Sequence, residues 1–412
     1  MPPPPPALLD ELVEEILLHL PPDEPASLLR ASLVCKRWRR RLSDPRFLRR
    51  YRELHGAPPM LGIICTMNEL RQRGSIYLVA RFVSNTGFRP SPVEIEGFSV
   101  LDCRHGRVLL HYQSLFVNEK PDLVVWDPLT GSQRRLRQPD VQCETCNAAV
   151  HCAAAEGCSC DHGDCSGGPF RIIFVCTDTD KPGVALAFAY SSVTGEWSAP
   201  ASLPLGADNV ELEEWPGSPG VLVGDALYFL LAGRAGVLKY DLGRHCLSVI
   251  QLPMPTAADN FHYAGPYLVA ANDGVLGLAF NNMFTLKLWS MEACRDGVAT
   301  TWAHHRVIHL NTLLPTEDPA ISLEIATFVE GTHMVIVITD LDYYTIDLKS
   351  LRSMKLKLPE SERKSMRPTG RRKCFGIFPY MRFYHPPGRL VYHSTDADEP
   401  DNAGLGLRLA RN

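Results

Sequence analysis

The densest run of chemistry-bearing side chains lies at 143–165, CETCNAAVHCAAAEGCSCDHGDC, which places Cys143, Cys146, His151, Cys152, Cys158, Cys160, His162 and Cys165 in one short stretch. Thiolate and imidazole donors at C-x-x-C and C-x-C spacing suit tetrahedral zinc, and a metal would staple a loop that has little core of its own. The candidate ligands are Cys143, Cys146, Cys158, Cys160, His162 and Cys165. The second half of the pattern is irregular, so a reduced, Cys-rich loop between strands that needs no cofactor is the simpler expectation. A catalytic metal fits less well still, because the set offers many soft ligands and neither an open position nor a general base. Elsewhere the chain shows no G-x-x-x-x-G-K-S/T phosphate loop and no G-x-S-x-G nucleophile elbow. Adjacent acids such as Asp340 and Asp342 read as solvated turn residues rather than a catalytic pair.

With chemistry so thinly supported, the elements carry the functional reading. The 45% hydrophobic and 21% charged content is that of a globular protein, and 412 residues exceed what one core usually serves, so two unequal domains are expected. The stretch after Met1, Pro2 to Pro6, has no basic segment leading into an apolar one, and no apolar run reaches the roughly 20 residues of a membrane helix. The 13 cysteines are odd in number and mostly scattered, which suits a reducing compartment and a cytoplasmic or nuclear location.

Residues 1–7 read as a disordered Pro-rich lead and 8–55 as a small helical module of three helices. In LLDELVEEILLHL, Leu9, Leu12, Val13, Ile16, Leu17 and Leu20 form an apolar stripe, with acids in the first turns and Pro21-Pro22 as a stop. A second helix follows Pro25 with Leu28 and Leu29 inward, and a third carries Val34, Cys35, Trp38 and Leu42 on one face. Three short helices bury little surface, so a Leu-rich face is expected to await a partner. Ten Lys and Arg lie between Arg30 and Arg52, which raises the alternative of a nucleic-acid-binding helix. Against it, Val34, Trp38 and Leu42 would sit on the reading helix, and the carboxylates of helix one would meet a polyanion.

From residue 60 onward short Val, Leu, Ile, Tyr and Phe runs alternate with Gly, Pro, Asp and Asn turns. One degenerate unit recurs: GRVLLH with LVVWDPLTGSQRRL, FRIIFV with LAFAYSSVTGEW, DALYFLL with GVLKYDLGRHCLSVIQLP, GVLGLAF with LKLWSM, and MVIVIT with YYTIDLKSLRSMKLKLP. The corresponding residues Trp126, Tyr190, Tyr240, Trp289 and Ile346 step by 64, 50, 49 and 57, the period of four-stranded propeller blades stretched by insertions. Residues 60–395 would hold six or seven blades, with 396–412 a flexible tail.

The order LLDELVEEILLHLPP followed by LLRASLVCKRWRRRLSDPRFLRRY resembles the F-box over residues 8–55, with Leu9 standing where many F-boxes have Pro. The resemblance implies that Leu9, Leu12, Ile16, Leu17, Leu20, Leu28, Leu29, Val34, Cys35 and Trp38 pack within the module or against the Skp adaptor. GFSVLDCRHGRVLL, the Cys-rich insert and the units ending in DPLTG look like the β-propeller-like associated domain of plant F-box proteins, especially those of grasses. The expected architecture is thus α+β and multidomain, a three-helix F-box followed by an all-β, kelch-like propeller. The implied role is a non-catalytic substrate adaptor of a Skp-cullin-F-box ubiquitin ligase, with an unknown target on the propeller. Besides nucleic-acid binding, a metal-dependent propeller enzyme is the alternative.

Overall fold

In the computed structural model, the described residues run from 9 to 384, apart from 71–75, 87–93, 113–121, 144, 154–164, 166, 207–210, 214–217, 254–265, 271–273, 294–299, 316–321, 341 and 366–373. The Pro-rich lead at 1–7 and the tail at 396–412 lie outside them. Four helices come first: α1 (Asp10–Leu18), α2 (Pro25–Val34), α3 (Lys36–Leu42) and α4 (Pro45–His55). Asp10 and Glu11 sit in the first turn of α1, where carboxylates oppose the positive end of the helix dipole. Pro25 opens α2 at a position whose N–H needs no partner.

The expected third helix is two, which makes four in this segment rather than three. Cys35 is extended (φ −160°, ψ 165°), so Val34 ends α2 and Cys35 caps α3, its sulfur accepting from the Trp38 N–H at 3.5 Å. Asp44 then caps α4, its carboxylate accepting from the Arg46 N–H at 2.8 Å, with Pro45 in the first turn. The α4 side chains Phe47 and Tyr51 point inward.

The β region forms six blades, which resolves the expected six or seven. The first sheet has the order Cys374–Met381, Met60–Leu70, Ile76–Ser84, Glu94–Glu96. The second runs Phe98–Arg104, Arg107–Tyr112, Asp122–Trp126, Gln133–Arg137. The third runs Cys146–Cys152, Phe170–Thr177, Val184–Ser191, Glu196–Trp197, with Ala201–Pro204 also paired to Val184–Ser191. The fourth contains Val221–Val223, Ala226–Leu231, Gly236–Asp241 and Cys246–Ile250. The fifth contains Tyr267–Ala270, Leu276–Asn282, Thr285–Ala293 and Thr300–His309, and the sixth Leu323–Phe328, Met334–Thr339, Tyr343–Asp347 and Arg352–Lys355. Among the described residues all pairings are antiparallel meanders, except that the first sheet takes its leading strand from the far end of the chain, which closes the ring. A short helix, α5 (Glu360–Ser365), precedes that closing strand.

The last turn of four blades is one repeated device. The carbonyls of Asp127, Ser191, Asp241 and Asp347 accept the N–H four residues on, from Gly131, Gly195, His245 and Leu351, at 2.8, 2.8, 3.0 and 2.8 Å. In each the closing residue is left-handed, with φ of 73°, 78°, 51° and 57°. Glycine meets that need without strain at two of them; His245 and Leu351 do not.

Leading strands of neighbouring blades touch around the axis, as Cys374–Met381 does with Phe98–Arg104 and with Leu323–Phe328. A cavity of about 60 Å³ lies between them, lined among others by Asp102, Arg104, Gly220, Tyr267 and Glu330. Arg104 fills its polar side: Nη1 donates to Asp102 at 2.5 Å, Nε donates to Glu330 at 2.7 Å and Nη2 donates to the Gly220 carbonyl. One guanidinium therefore joins the second, fourth and sixth blades. Desolvation pushes the buried Asp102 carboxyl up to about 6, against the pull of Arg104 and of the Val150 N–H.

Helices and propeller share a core. Val13, Leu17, Leu28, Leu42, Phe47 and Tyr51 belong to the same buried cluster as Leu61, Phe82, Trp126, Tyr380 and Phe383. Tyr51 meets Phe383 edge-on with ring centroids 6.0 Å apart, and its hydroxyl donates to the Leu20 carbonyl at 2.7 Å. No helix among the described residues is long and apolar enough to cross a membrane.

Candidate functional site: an exposed apolar helical face

The ten residues singled out in the helical segment separate into two groups. Leu17, Leu28 and Leu29 are buried, and Leu20 and Trp38 are partly buried and packed on the same core. Leu9, Leu12, Ile16 and Val34 are 66, 51, 50 and 63% exposed, and Cys35 is exposed with them. Leu33, which the pattern did not single out, is 48% exposed. The division follows helix geometry: Leu9, Leu12 and Ile16 recur at three and four residues on one side of α1, whereas Val13 and Leu17 lie one position round, against the core. A stripe read at period 3.6 gives both groups, since its width spans the inner face and its edge. Large aliphatic side chains left in water along one element mark a surface made to be covered.

The basic block is answered locally. Arg37 pairs with Asp10, Arg41 with Glu14 at 3.1 Å, and Arg50 with both Glu14 and Glu15. Glu14 is partly buried and the other carboxylates are exposed, and such surface pairs contribute little individually, but together they set the α1 carboxylates among the arginines of α3 and α4. A phosphate backbone arriving there would meet those carboxylates as well as the guanidinium groups.

The Cys-rich segment is only partly described. Cys158, Cys160 and His162 lie outside the described residues. Cys143 and Cys146 pack with the core that contains Cys176, while the Cys165 carbonyl accepts from Arg107, whose Nη2 also donates to the Gly168 carbonyl at 2.7 Å. Among the described residues, no three His, Cys, Asp or Glu side chains are grouped to hold a metal ion. Cys176, thirty positions from Cys146, gives no sequence signal; only the strand register brings it in. In the axial cavity Asp102 and Glu330 are both engaged with Arg104, an arrangement that braces the ring.

An F-box domain model matches residues 7–50, and the model described as F-box protein AT5G49610-like, beta-propeller matches residues 99–386. No curated relative matches the chain at a significant level. Among solved structures, the β-propeller domain of Cps50 (Swd1) from Myceliophteria thermophila is 10% identical with a TM-score of 0.36, over 72% of this chain and 88% of that one. A nidogen/laminin complex chain is 9% identical with a TM-score of 0.35, over 77% of this chain and 98% of that one. A duf4221 family member from Bacteroides vulgatus is 10% identical with a TM-score of 0.35, over 72% and 88%. Those scores are too low to bear on function. F-box domains bind the Skp subunit of SCF complexes, and an F-box followed by a propeller is an arrangement typical of non-catalytic adaptors. With the propeller model spanning well over half its length behind a matched F-box, the chain belongs to the F-box proteins with an AT5G49610-like β-propeller.

Proposed function

We propose that the protein is a substrate adaptor of an SCF-type ubiquitin ligase, docking the Skp adaptor, and through it the cullin-RING ligase, with α1 and the α2–α3 junction. The observation that carries the reading is the set Leu9, Leu12, Ile16, Leu33 and Val34, exposed on helices whose opposite sides are packed. The propeller holds the target protein, and tethering raises the local concentration of a target lysine near the ubiquitin thioester, to the millimolar range for short linkages. On this reading the chain supplies no catalytic group, and it works in the cytoplasm or nucleus. The units ending in DPLTG motivate placing it with the grass proteins.

The test is titration of purified Skp adaptor against the full chain. Ile16→Asp and Val34→Asp place a charge on the open face and are expected to weaken binding by roughly a hundredfold or more, about 3 kcal/mol, without loss of fold. Leu17→Asp puts the charge in the core and is expected to unfold the helices, so it reports on stability. Wild-type affinity in both Ile16→Asp and Val34→Asp would reject the docking surface. Binding to DNA or RNA that falls steeply with salt and requires Arg37 and Arg40 would favour the nucleic-acid reading instead.

A further inference from the structure

The outer strand of the second blade, Gln133–Arg137, is an open edge lined with guanidinium groups. Three of its five residues are Arg134, Arg135 and Arg137, and all three are exposed. Among the described residues no other outer strand is so basic. Glu94–Glu96 carries two acids, Glu196–Trp197 one, Cys246–Ile250 no charge and Thr300–His309 a single arginine, while in Arg352–Lys355 the lysine already pairs with Asp342 at 2.5 Å. The Asp127 N–H donates to the Ser132 carbonyl at 2.9 Å, which sets the phase of the ladder. Ser132, Arg134 and Leu136 turn their backbone groups toward Asp122–Trp126, and Gln133, Arg135 and Arg137 turn theirs away. The Arg137 carbonyl is met there by Trp197 Nε1 of the third blade at 2.9 Å, as that phase requires. The N–H and C=O of Gln133 and Arg135 and the N–H of Arg137 meet no partner among the described residues.

Side chains alternate across the same strand. Arg134 leans on the third blade, its guanidinium 5.6 and 5.9 Å from the ring centroids of Phe170 and Tyr190 and donating to the Tyr190 hydroxyl at 3.0 Å. Arg135 and Arg137 lie on the other face, opposite Val124 and Asp122. Asp122 makes no ion pair with Arg137, and among the described residues no carboxylate pairs with any of the three arginines. Guanidinium groups therefore stand on both faces of an edge whose backbone donors and acceptors are open between them.

We propose that this edge docks an extended acidic segment of a partner protein, taken on as a fifth strand of the second blade. An extended peptide presents N–H and C=O groups at the strand repeat, and its Asp and Glu side chains reach the guanidinium groups beside it. Because arginines stand on both faces, a run of consecutive acids fits the edge better than acids at every second position. A second copy of this chain fits poorly, since pairing two such edges would set three arginines against three. A phosphate backbone would satisfy the guanidinium groups but has no row of donors for the carbonyls of Gln133 and Arg135. That the partner is the target to be modified rests on the adaptor reading above; the docking chemistry does not.

The experiment titrates the full chain, without the Skp adaptor, into a fluorescein-labelled octapeptide, Glu-Asp-Val-Thr-Glu-Asp-Val-Thr, followed by fluorescence anisotropy. Saturable binding is expected, at least about tenfold weaker for Arg135→Glu and for Arg137→Glu with circular dichroism unchanged, and weaker for wild type as salt is raised. N-methylating the peptide at alternate residues keeps every carboxylate while removing the N–H groups along one edge. One of the two alternate patterns should abolish binding and the other preserve it, because only one edge of an added strand faces the blade. Equal binding by both methylated peptides would overturn the strand docking. So would the absence of saturable binding, or binding that neither glutamate variant weakens; the arginines would then only guard the edge against pairing. Tighter binding of a single-stranded DNA octamer that requires Arg135 and Arg137, or a dimer in sedimentation that Arg135→Glu dissociates, would assign the edge to a different occupant and overturn the proposal as well. Arg135→Glu should leave the Skp titration at its wild-type value, and Ile16→Asp should leave peptide binding unchanged, so failure of this docking site and failure of the adaptor reading are told apart.

Discussion

Leu351 closes the outer turn of the sixth blade at φ 57°, a conformation that crowds its Cβ against the following carbonyl. Relief of about 1–2 kcal/mol outweighs the roughly 0.5–1 kcal/mol that glycine costs in unfolded-chain entropy, so Leu351→Gly should stabilise the protein by about 0.5–1 kcal/mol. A higher urea midpoint with an unchanged slope is the expected result. His245 holds the equivalent place in the fourth blade, but its ring bonds Tyr240 at 2.5 Å and lies 3.2 Å from Ser198 of the third blade, so the same change there should destabilise. Asp102 offers a pH test. Its folded value of about 6 lies above the ordinary 3.8, so its contribution to stability is complete below about pH 4 and is lost as pH rises through 6. The stability of wild type relative to Asp102→Asn should fall by roughly 3 kcal/mol between pH 4 and 7 in parallel urea titrations. A difference that stays flat would mean that Arg104 keeps the carboxylate ionised throughout.

At the scale of elements, α4 is the part of the helical segment that ties it to the ring. Asp44→Ala removes its capping carboxylate and should cost about 1 kcal/mol. Tyr51→Ala, which empties the place against Phe383 and breaks the bond to Leu20, should cost about 3–5 kcal/mol, seen as a lower thermal midpoint of the whole chain. A loss confined to helical signal, with the propeller transition unmoved, would show that the two parts unfold independently. The existence of α1 and its apolar stripe was legible because Leu, Val and Ile recur with helical period between an acidic first turn and Pro21-Pro22. That the second helix keeps Val34 and that Cys35 stands between two helices was not, since nothing in LVCKRW stops a helix; Cys35 is extended and its sulfur caps the next helix.

For the whole molecule, ring closure by Cys374–Met381 makes the last described strand a condition for the first blade. A chain ending at residue 373 lacks that strand, leaves the edge of Met60–Leu70 unpaired and exposes Ile63, Ile64 and Cys65. It should fail to show a cooperative unfolding transition by calorimetry, whereas a chain ending at 384 should keep one. The amino-acid sequence by itself determined the helical stripe, the β character after residue 60 and the recurrence of strand, aromatic and turn, because period, propensity and turn chemistry act over a few neighbouring residues. Only the tertiary structure decided the rest: six blades, which leucines of α1 meet water, and which cysteine stands opposite Cys146. Those depend on contacts such as Tyr51 with Phe383 and Cys146 with Cys176, between residues far apart along the chain, whose pairing is fixed by how whole elements pack.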